Sequence, residues 1–254
     1  MPDPNGEAMR TTVIRVRPWH RAASLSTSLV FVSLLALGLL WSVSPPFVAA
    51  VGTMLVFQIL IFAYTGRQTS GKLQDQSPHL TPATLVTVTR GTAAVLLAGF
   101  LVVARPDGLF AWLPALLFGA AALFDGLDGV LARATNSQSE YGALLDVEMD
   151  ALALLVGVAV AVRAGQAPGY YLTVGVARYA FVAGIWLRRK RGKPVKELPP
   201  RLSRRVLGAF QMVVVFLALT PALGATESRL LAAVAMVPFL LGFARDWLLV
   251  TGRR

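Results

Sequence analysis

Long apolar stretches separated by short polar connections dominate the pattern of residues along the chain. They lie at about residues 22–43, 46–65, 82–104, 108–131, 141–163, 168–187, 204–222 and 229–250. A helix needs roughly 20 apolar residues to cross a bilayer, and each stretch has about that length. None of them alternates apolar and polar positions as a half-buried strand does. The pattern therefore predicts an all-α integral membrane protein with eight transmembrane spans.

The polar segments divide the chain into two tails, a hairpin, a linker and a core. The predicted units are a basic cytoplasmic tail at 1–21, a transmembrane hairpin at 22–66, a linker at 67–80, a six-helix core at 81–250 and a second tail at 251–254. We expect the first span to be retained, because it is too long for a signal peptide and no small-residue cleavage site follows it.

Composition agrees with a membrane protein and excludes several kinds of site. Of the 254 residues, 56% are hydrophobic and 15% are charged, and the mean hydropathy is +0.63. A soluble domain usually carries about 25% charged residues. The absence of cysteine excludes disulfides, thiolate metal sites and cysteine nucleophiles. Only two histidines are present, His20 and His79, which argues against a histidine-based metal centre.

Basic residues concentrate on one set of connections. The net charge is +11, and nine of the lysines and arginines lie between Arg188 and Arg205. The connections predicted on the opposite side carry little more than Arg105, Arg163 and Arg229. The positive-inside rule then places both termini and the basic loop in the cytoplasm, which requires an even number of spans. The charge is better explained by anionic membrane lipids than by nucleic acid, and no nucleic-acid partner is expected.

Four of the eight aspartates lie within 26 residues, at Asp125, Asp128, Asp146 and Asp150. A spacing of three or four residues places each pair on one face of a helix, and a short connection makes the two helices antiparallel neighbours. Carboxylates that lie together in one cleft need compensating positive charge. Mg²⁺ and Mn²⁺ prefer such oxygen ligands, and four aspartates predict a site for two of these ions. The same carboxylates could instead form buried ion pairs with Arg90, Arg133 or Arg178, or line a proton or cation pathway.

Small residues and one arginine accompany the aspartates. Gly129, Ala132 and Gly142 would allow the helix backbones and a flat ligand to approach closely. Arg133 adds a planar donor suited to phosphate.

The segment from Asp125 to Asp150 resembles the signature of the CDP-alcohol phosphotransferases, also called CDP-alcohol phosphatidyltransferases. The signature is D-x-x-D-G-x-x-A-R-x₈-G-x-x-x-D-x-x-x-D, and all eight of its fixed positions match. The resemblance extends more weakly from Thr81 to Val250 and leaves out the N-terminal hairpin. It implies a membrane enzyme of phospholipid synthesis that transfers a substituted phosphate, often phosphatidyl from CDP-diacylglycerol, to a polar alcohol and releases CMP.

The resemblance also implies a role for each residue of the motif. Asp125, Asp128 and Asp146 would be metal ligands, and Asp150 would be the general base, close enough to a metal to act as a ligand as well. The residues expected to contact the CDP moiety are Asp128, Gly129, Ala132, Arg133, Ser139, Gly142, Thr84 and Thr87. The alternative for the two threonines is helix capping and packing.

Three further arginines are candidates for the acceptor. Arg178 lies within a span, where it binds either substrate phosphate or a structural partner, and Arg204 and Arg205 begin the seventh span. Together they favour a phosphorylated acceptor such as glycerol phosphate or inositol phosphate. By the same resemblance we expect a homodimer. We expect it in the inner membrane of a prokaryotic cell, with the active site facing the cytoplasm, as the basic connections indicate.

Two other functions compete with this one. A membrane prenyltransferase also binds a diphosphate through Mg²⁺ and aspartate-rich helices, but it would carry two similar motifs far apart in the chain. A transporter would distribute polar residues over several spans or repeat a broken helix. The single compact block of four aspartates favours the transferase that binds a nucleotide.

Overall fold

The computed structural model describes residues 18–69, 82–122, 140–198 and 201–252, and all regular structure in these ranges is helical. The helices are α1 Pro18–Leu40, α2 Pro45–Thr69, α3 Pro82–Leu97, α4 at 113–122, α5 Glu140–Arg163, α6 Leu172–Lys190, α7 Leu202–Leu219 and α8 Ala225–Thr251. Short 3₁₀ segments follow α3 and precede α4 and α6, at Ala98–Leu101, Gly108–Trp112 and Gly169–Tyr171. Each predicted apolar stretch therefore contains a helix.

The protein is an all-α integral membrane protein, as predicted. Six of the described helices are long and apolar enough to cross a membrane. They are α1, α2, α3 with its 3₁₀ extension, α6, α7 and α8. The 24 residues of α5 are also long enough, but the first half of this helix carries Asp146, Glu148 and Asp150. Helix α4 at 113–122 is shorter, so the count of eight spans stays a prediction.

The observed helix ends differ from the predicted ones by a few residues. The first helix begins at Pro18 inside the predicted tail, because proline is well suited to the first turn of a helix. The second continues to Thr69, into the predicted linker at 67–80. The sixth includes Arg188–Lys190, since cations stabilise the last turn of a helix and long basic side chains reach the aqueous interface.

Helix α5 lies at the centre of the bundle, where it contacts α2, α3, α6 and α7. Small residues allow this close packing. A side chain at Gly157 would collide with Phe118 of α4 and approach Val215 of α7, and Gly175 of α6 lies against the backbone of Leu155. The position of the acidic first half of α5 is therefore fixed by helices on several sides.

The N-terminal hairpin packs on the core as part of the same bundle. Both α1 and α2 contact α3, and α2 also contacts α5. At the turn of the hairpin, the fully buried ring of Phe47 packs against Gly99 and edge-on to Phe100, with ring centroids 5.2 Å apart. Trp41 covers the same aromatic group.

The two ends of the bundle differ in charge. At one end, Arg105 donates to the carbonyl of Leu219 at 3.1 Å, and Arg229 donates to the carbonyl of Gly165 at 2.7 Å. At the other end, the connection between α6 and α7 returns to the end of α8, where the amide of Lys196 donates to the carbonyl of Val250 at 3.1 Å. We call the latter the basic end; the first half of α5 and the start of α7 lie towards it.

Candidate active site

Arg90 of α3 joins the two described aspartates of the motif. This arginine is 2% exposed. Its Nη1 donates to Oδ1 of Asp146 at 2.6 Å, its Nη2 donates to Oδ1 of Asp150, and its Nε donates to the carbonyl of Ala121 at 2.8 Å. Ion pairs of these carboxylates with Arg90, which the sequence leaves open as an alternative to metal binding, are thus observed. The planar guanidinium suits this bridge, because its donors lie in a fixed fork that two carboxylates can share.

A cavity of about 570 Å³ opens between α3, α5, α6, α7 and α8. Asp146 and Asp150 lie in its wall, with 31% and 33% of their side chains exposed. The arginines that line the cavity are Arg90, Arg178, Arg204 and Arg205. Among the larger apolar residues that line it are Leu154, Leu207, Phe181, Phe239 and Phe243. The cavity thus offers carboxylates, cations and an apolar surface to one ligand.

Arg178 of α6 lines the cavity and also forms an ion pair. Its Nη2 lies 2.7 Å from Oε1 of Glu148, and about a third of its side chain is exposed. Glu148 is rotated about 200° from Asp146 on the helix, which predicts a position outside the metal ligands. Its pairing with Arg178 agrees with that prediction. Structural pairing, one of the two roles open to Arg178, is therefore observed.

Arg204 and Arg205 begin α7 at the basic end, and both line the cavity. Arg204 Nε lies 2.7 Å from Oδ2 of Asp246, an α8 residue whose side chain is 7% exposed. Arg245 Nη2 lies 3.4 Å from Oδ1 of the same aspartate. The sequence indicates the pair of neighbours, Arg245 and Asp246. It gives no signal for Arg204, because that pair depends on how α7 meets α8.

A comparison with known protein families matches residues 80–247 to CDP-alcohol phosphatidyltransferase. The chain belongs to the CDP-alcohol phosphatidyltransferase family. The match includes α3 to α7 and most of α8, and it leaves α1 and α2 outside. Searches of curated proteins and of solved structures gave no match.

The family transfers a phosphatidyl group from a CDP-alcohol to an acceptor, so this membrane protein is a phosphotransferase. Membership also gives the cavity a chemical context, because Asp146 and Asp150 are the last two aspartates of the family signature. Gly142 lies one helical turn before Asp146 on α5, as the signature requires. Thr84 and Thr87 are buried in the first turns of α3, each 2% exposed.

Six of the predicted site residues lie outside the described residues. They are Asp125, Asp128, Gly129, Ala132, Arg133 and Ser139. The meeting of the two acidic helix faces is therefore a prediction. Within the described ranges, no three acidic or histidine side chains form a group that could hold a metal ion.

The two described aspartates fit a divalent cation in their ligand chemistry. The family is generally dependent on a divalent metal. Asp146 and Asp150 offer carboxylate oxygens one helical turn apart in the cavity wall, and such oxygens are what Mg²⁺ and Mn²⁺ prefer. The ligand chemistry of these two carboxylates therefore fits a divalent cation.

Proposed function

We propose that this enzyme transfers a phosphatidyl group from CDP-diacylglycerol to a polar alcohol in phospholipid synthesis and releases CMP. The observation that carries the proposal is the placement of Asp146 and Asp150 together in the wall of the arginine-lined cavity. The apolar part of that wall suits the glycerol backbone and the first carbons of the acyl chains. The charged part suits the diphosphate and a polar acceptor.

In the proposed reaction, Asp150 is the general base. Its carboxylate takes the proton of the acceptor hydroxyl as the acceptor oxygen forms a bond to the phosphatidyl phosphorus. The bond between that phosphorus and the bridging oxygen of the diphosphate breaks, and CMP leaves with this oxygen. Arg90 holds Asp146 and Asp150 in fixed positions. Mg²⁺ or Mn²⁺, when bound by the four aspartates of the motif, supplies charge neutralisation at the diphosphate.

We propose that Arg178, Arg204 and Arg205 recognise a phosphorylated acceptor. All three line the cavity that contains Asp150, and guanidinium groups bind phosphate through paired hydrogen bonds. Arg178 and Arg204 already have carboxylate partners, so an incoming phosphate would share them with Glu148 and Asp246. Arg205 is the more exposed of the pair that begins α7.

The experiment that tests this function measures CMP release by the purified protein in lipid nanodiscs. CDP-diacylglycerol is offered with glycerol 3-phosphate, inositol phosphate, glycerol, inositol or serine, and Asp150→Asn serves as the control. When the acceptor is phosphorylated, we expect the wild-type protein to release CMP and to form a new phospholipid. We expect no CMP release by Asp150→Asn. Turnover only with neutral alcohols would refute the acceptor class. The absence of release with every acceptor, from folded protein in Mg²⁺, would refute the donor.

Metal removal gives an independent check. We expect turnover to stop in excess chelator and to return when Mg²⁺ or Mn²⁺ is added beyond the chelator. Full turnover in excess chelator would refute the role assigned to the aspartates. We also propose that the enzyme is a homodimer in a prokaryotic inner membrane, with the cavity facing the cytoplasm; the charge of the basic end supports this orientation.

A further inference from the structure

A buried polar cluster connects the N-terminal hairpin to the core. Ser26 Oγ of α1 donates to Oε1 of Gln58 on α2 at 2.9 Å, and it lies 3.0 Å from Oγ1 of Thr92 on α3. Gln58 Nε2 lies 3.6 Å from Sδ of Met149 on α5. Ser26 and Gln58 are fully buried, and Thr92 and Met149 are 4% and 1% exposed. Four helices therefore meet at one glutamine side chain.

Gly91 provides the space in which this meeting occurs. A side-chain carbon at this position would collide with both the Gln58 amide and the Met149 sulfur. The glycine is buried in α3, where glycine costs about 1 kcal/mol relative to alanine, so packing must offset its low helix propensity. We call Ser26, Gln58, Gly91, Thr92 and Met149 the hairpin junction.

The hairpin junction lies next to the candidate active site along both α3 and α5. Gly91 follows Arg90 in α3, and Met149 precedes Asp150 in α5. Arg90 and Asp150 are themselves joined by an ion pair on the cavity side of the same two helices. The contact between α3 and α5 is thus held on one side by the ion pairs of Arg90 and on the other side by Gln58.

Polar groups buried within a bilayer have no water to replace a lost partner. If α2 moved along α3 or α5, Gln58 would lose its contacts with Ser26 and Met149. The Gln58 amide would also no longer fit the space that Gly91 leaves in α3. The cluster therefore favours one register of the hairpin against the core, as small and polar residues do between membrane helices. Because α3 carries Arg90 and α5 carries the two aspartates, such a register would also set the distance between these side chains.

We propose that Gln58 is a positioning residue, through which the hairpin outside the family match holds α3 and α5 at the separation that the active site requires. The proposal rests on the proposed function. It assigns to α1 and α2 a role in aligning Arg90, Asp146 and Asp150, in addition to anchoring the chain in the membrane.

The test compares Gln58→Leu with Gln68→Leu, which makes the same change at an exposed position near the end of α2. Measurements are made well below the unfolding temperature of each variant. For Gln58→Leu we expect a 5- to 50-fold lower kcat, a several-fold higher Mg²⁺ concentration for half-maximal activity, and little change in the KM of the acceptor. Without turnover, we also expect a weaker stabilisation of the unfolding temperature by Mg²⁺ with CDP. Gln68→Leu should match the wild type in all four.

A purely structural role would lower the unfolding temperature of Gln58→Leu and leave kcat and the Mg²⁺ dependence unchanged; that result would overturn the proposal. If Gln58→Leu does not fold, Ser26→Ala and Thr92→Val decide the question, because each removes one hydroxyl and leaves the glutamine in place. Wild-type kinetics in both would also overturn it. If the wild-type protein shows no turnover, the proposed function is refuted instead. The stabilisation of the unfolding temperature by Mg²⁺ with CDP would then still show whether Gln58→Leu disturbs the site.

Discussion

Arg90 is the residue on which the geometry of the candidate active site depends most directly. It contributes one buried cation to two carboxylates, and a third hydrogen bond to the carbonyl of Ala121 keeps the guanidinium from rotating. Removing the charge would leave two carboxylates close together without the cation that they share, so they would repel each other and lose their fixed positions. We therefore expect substitutions of Arg90 to affect turnover more than binding of the lipid.

The first prediction concerns Arg90→Lys, which keeps the charge but loses the planar fork. An ammonium is a point charge and lacks the fixed set of donors with which Arg90 binds Asp146, Asp150 and the Ala121 carbonyl together. Small displacements of groups that position a reaction cost roughly 10²-fold in rate. We expect kcat to fall by about that factor, with a smaller change in the KM of CDP-diacylglycerol. Wild-type kcat in this variant would show that the bridge serves only to balance charge.

The second prediction separates Asp150 from the metal ligands. If Asp150 acts mainly as the base, Asp150→Asn should lose turnover by about 10²–10⁴-fold and still be stabilised against heat by CDP with Mg²⁺. Asp128→Asn should lose both. The measurement is the unfolding temperature of each variant with and without CDP at saturating Mg²⁺. Loss of stabilisation in Asp150→Asn as complete as in Asp128→Asn would make Asp150 a metal ligand, and the base would be another group.

The sequence predicts which residues share a helix face better than it predicts their partners on other helices. Asp146 and Asp150 share a helix face because their spacing requires it, and the structure places both in one cavity wall. The partnership of Arg204 with Asp246 joins residues 42 positions apart, so no local spacing indicates it. For Asp246 the sequence indicates only the neighbouring Arg245. Local periodicity determines faces, whereas partners depend on how helices meet.

At the scale of elements, helix α5 carries site residues in its first half and packs into the bundle through its second half. Its first half carries Asp146, Glu148 and Asp150, and its second half, from Ala151 to Val162, is apolar and mostly buried. The apolar half holds the helix among its neighbours, and this packing supports the acidic half at the cavity. Changes in the packed half should therefore reduce stability.

The third prediction tests this packing with Gly157→Ala. The new methyl group would meet the ring of Phe118 and lie 2.9 Å from Val215 Cγ1, both fully buried or nearly so. Overpacking costs about 1–3 kcal/mol, whereas glycine to alanine in a helix gains about 1 kcal/mol. Because the Phe118 ring is fully buried and cannot shift into open space, we expect a net loss of stability and an unfolding temperature lower by several degrees.

The matched control is Gly52→Ala on α2, where nothing lies within 4 Å of the added carbon. Only the gain in helix propensity applies there, so we expect an unchanged or slightly higher unfolding temperature. Equal effects of the two substitutions would contradict the close packing of α4, α5 and α7.

The elements themselves could be predicted from composition, since every apolar stretch contains a helix in the described residues. Their ends could not, because apolar length marks the hydrocarbon part of a helix and not its polar turns. Pro18 and Arg188–Lys190 continue helices beyond the apolar stretches. Nor does the sequence predict the 3₁₀ segment Ala98–Leu101, which lies where the fully buried Phe47 packs against Gly99.

At the scale of the whole molecule, the order of helices and the distribution of charge give the same orientation. The connection from α6 to α7 meets the end of α8 at the basic end. At the opposite end, Arg105 contacts the end of α7, and Arg229, near the start of α8, contacts the loop after α5. The cavity reaches the basic end through Arg204 and Arg205. If this end is cytoplasmic, the cavity is reached by CDP-linked donors from the bilayer and by polar acceptors from the cytosol.

The last prediction tests that orientation in intact cells. The chain has no cysteine, so a single introduced cysteine gives labelling without background. Lys193 and Ala164 are both exposed and lie at opposite ends of the bundle. We expect a membrane-impermeant thiol reagent to label Ala164→Cys in intact cells, and to label Lys193→Cys only after the membrane is opened. Because the distribution of lysine and arginine among the connections sets the orientation, the reverse pattern would mean that the basic end faces outward. Polar acceptors from the cytosol could then not reach Asp150.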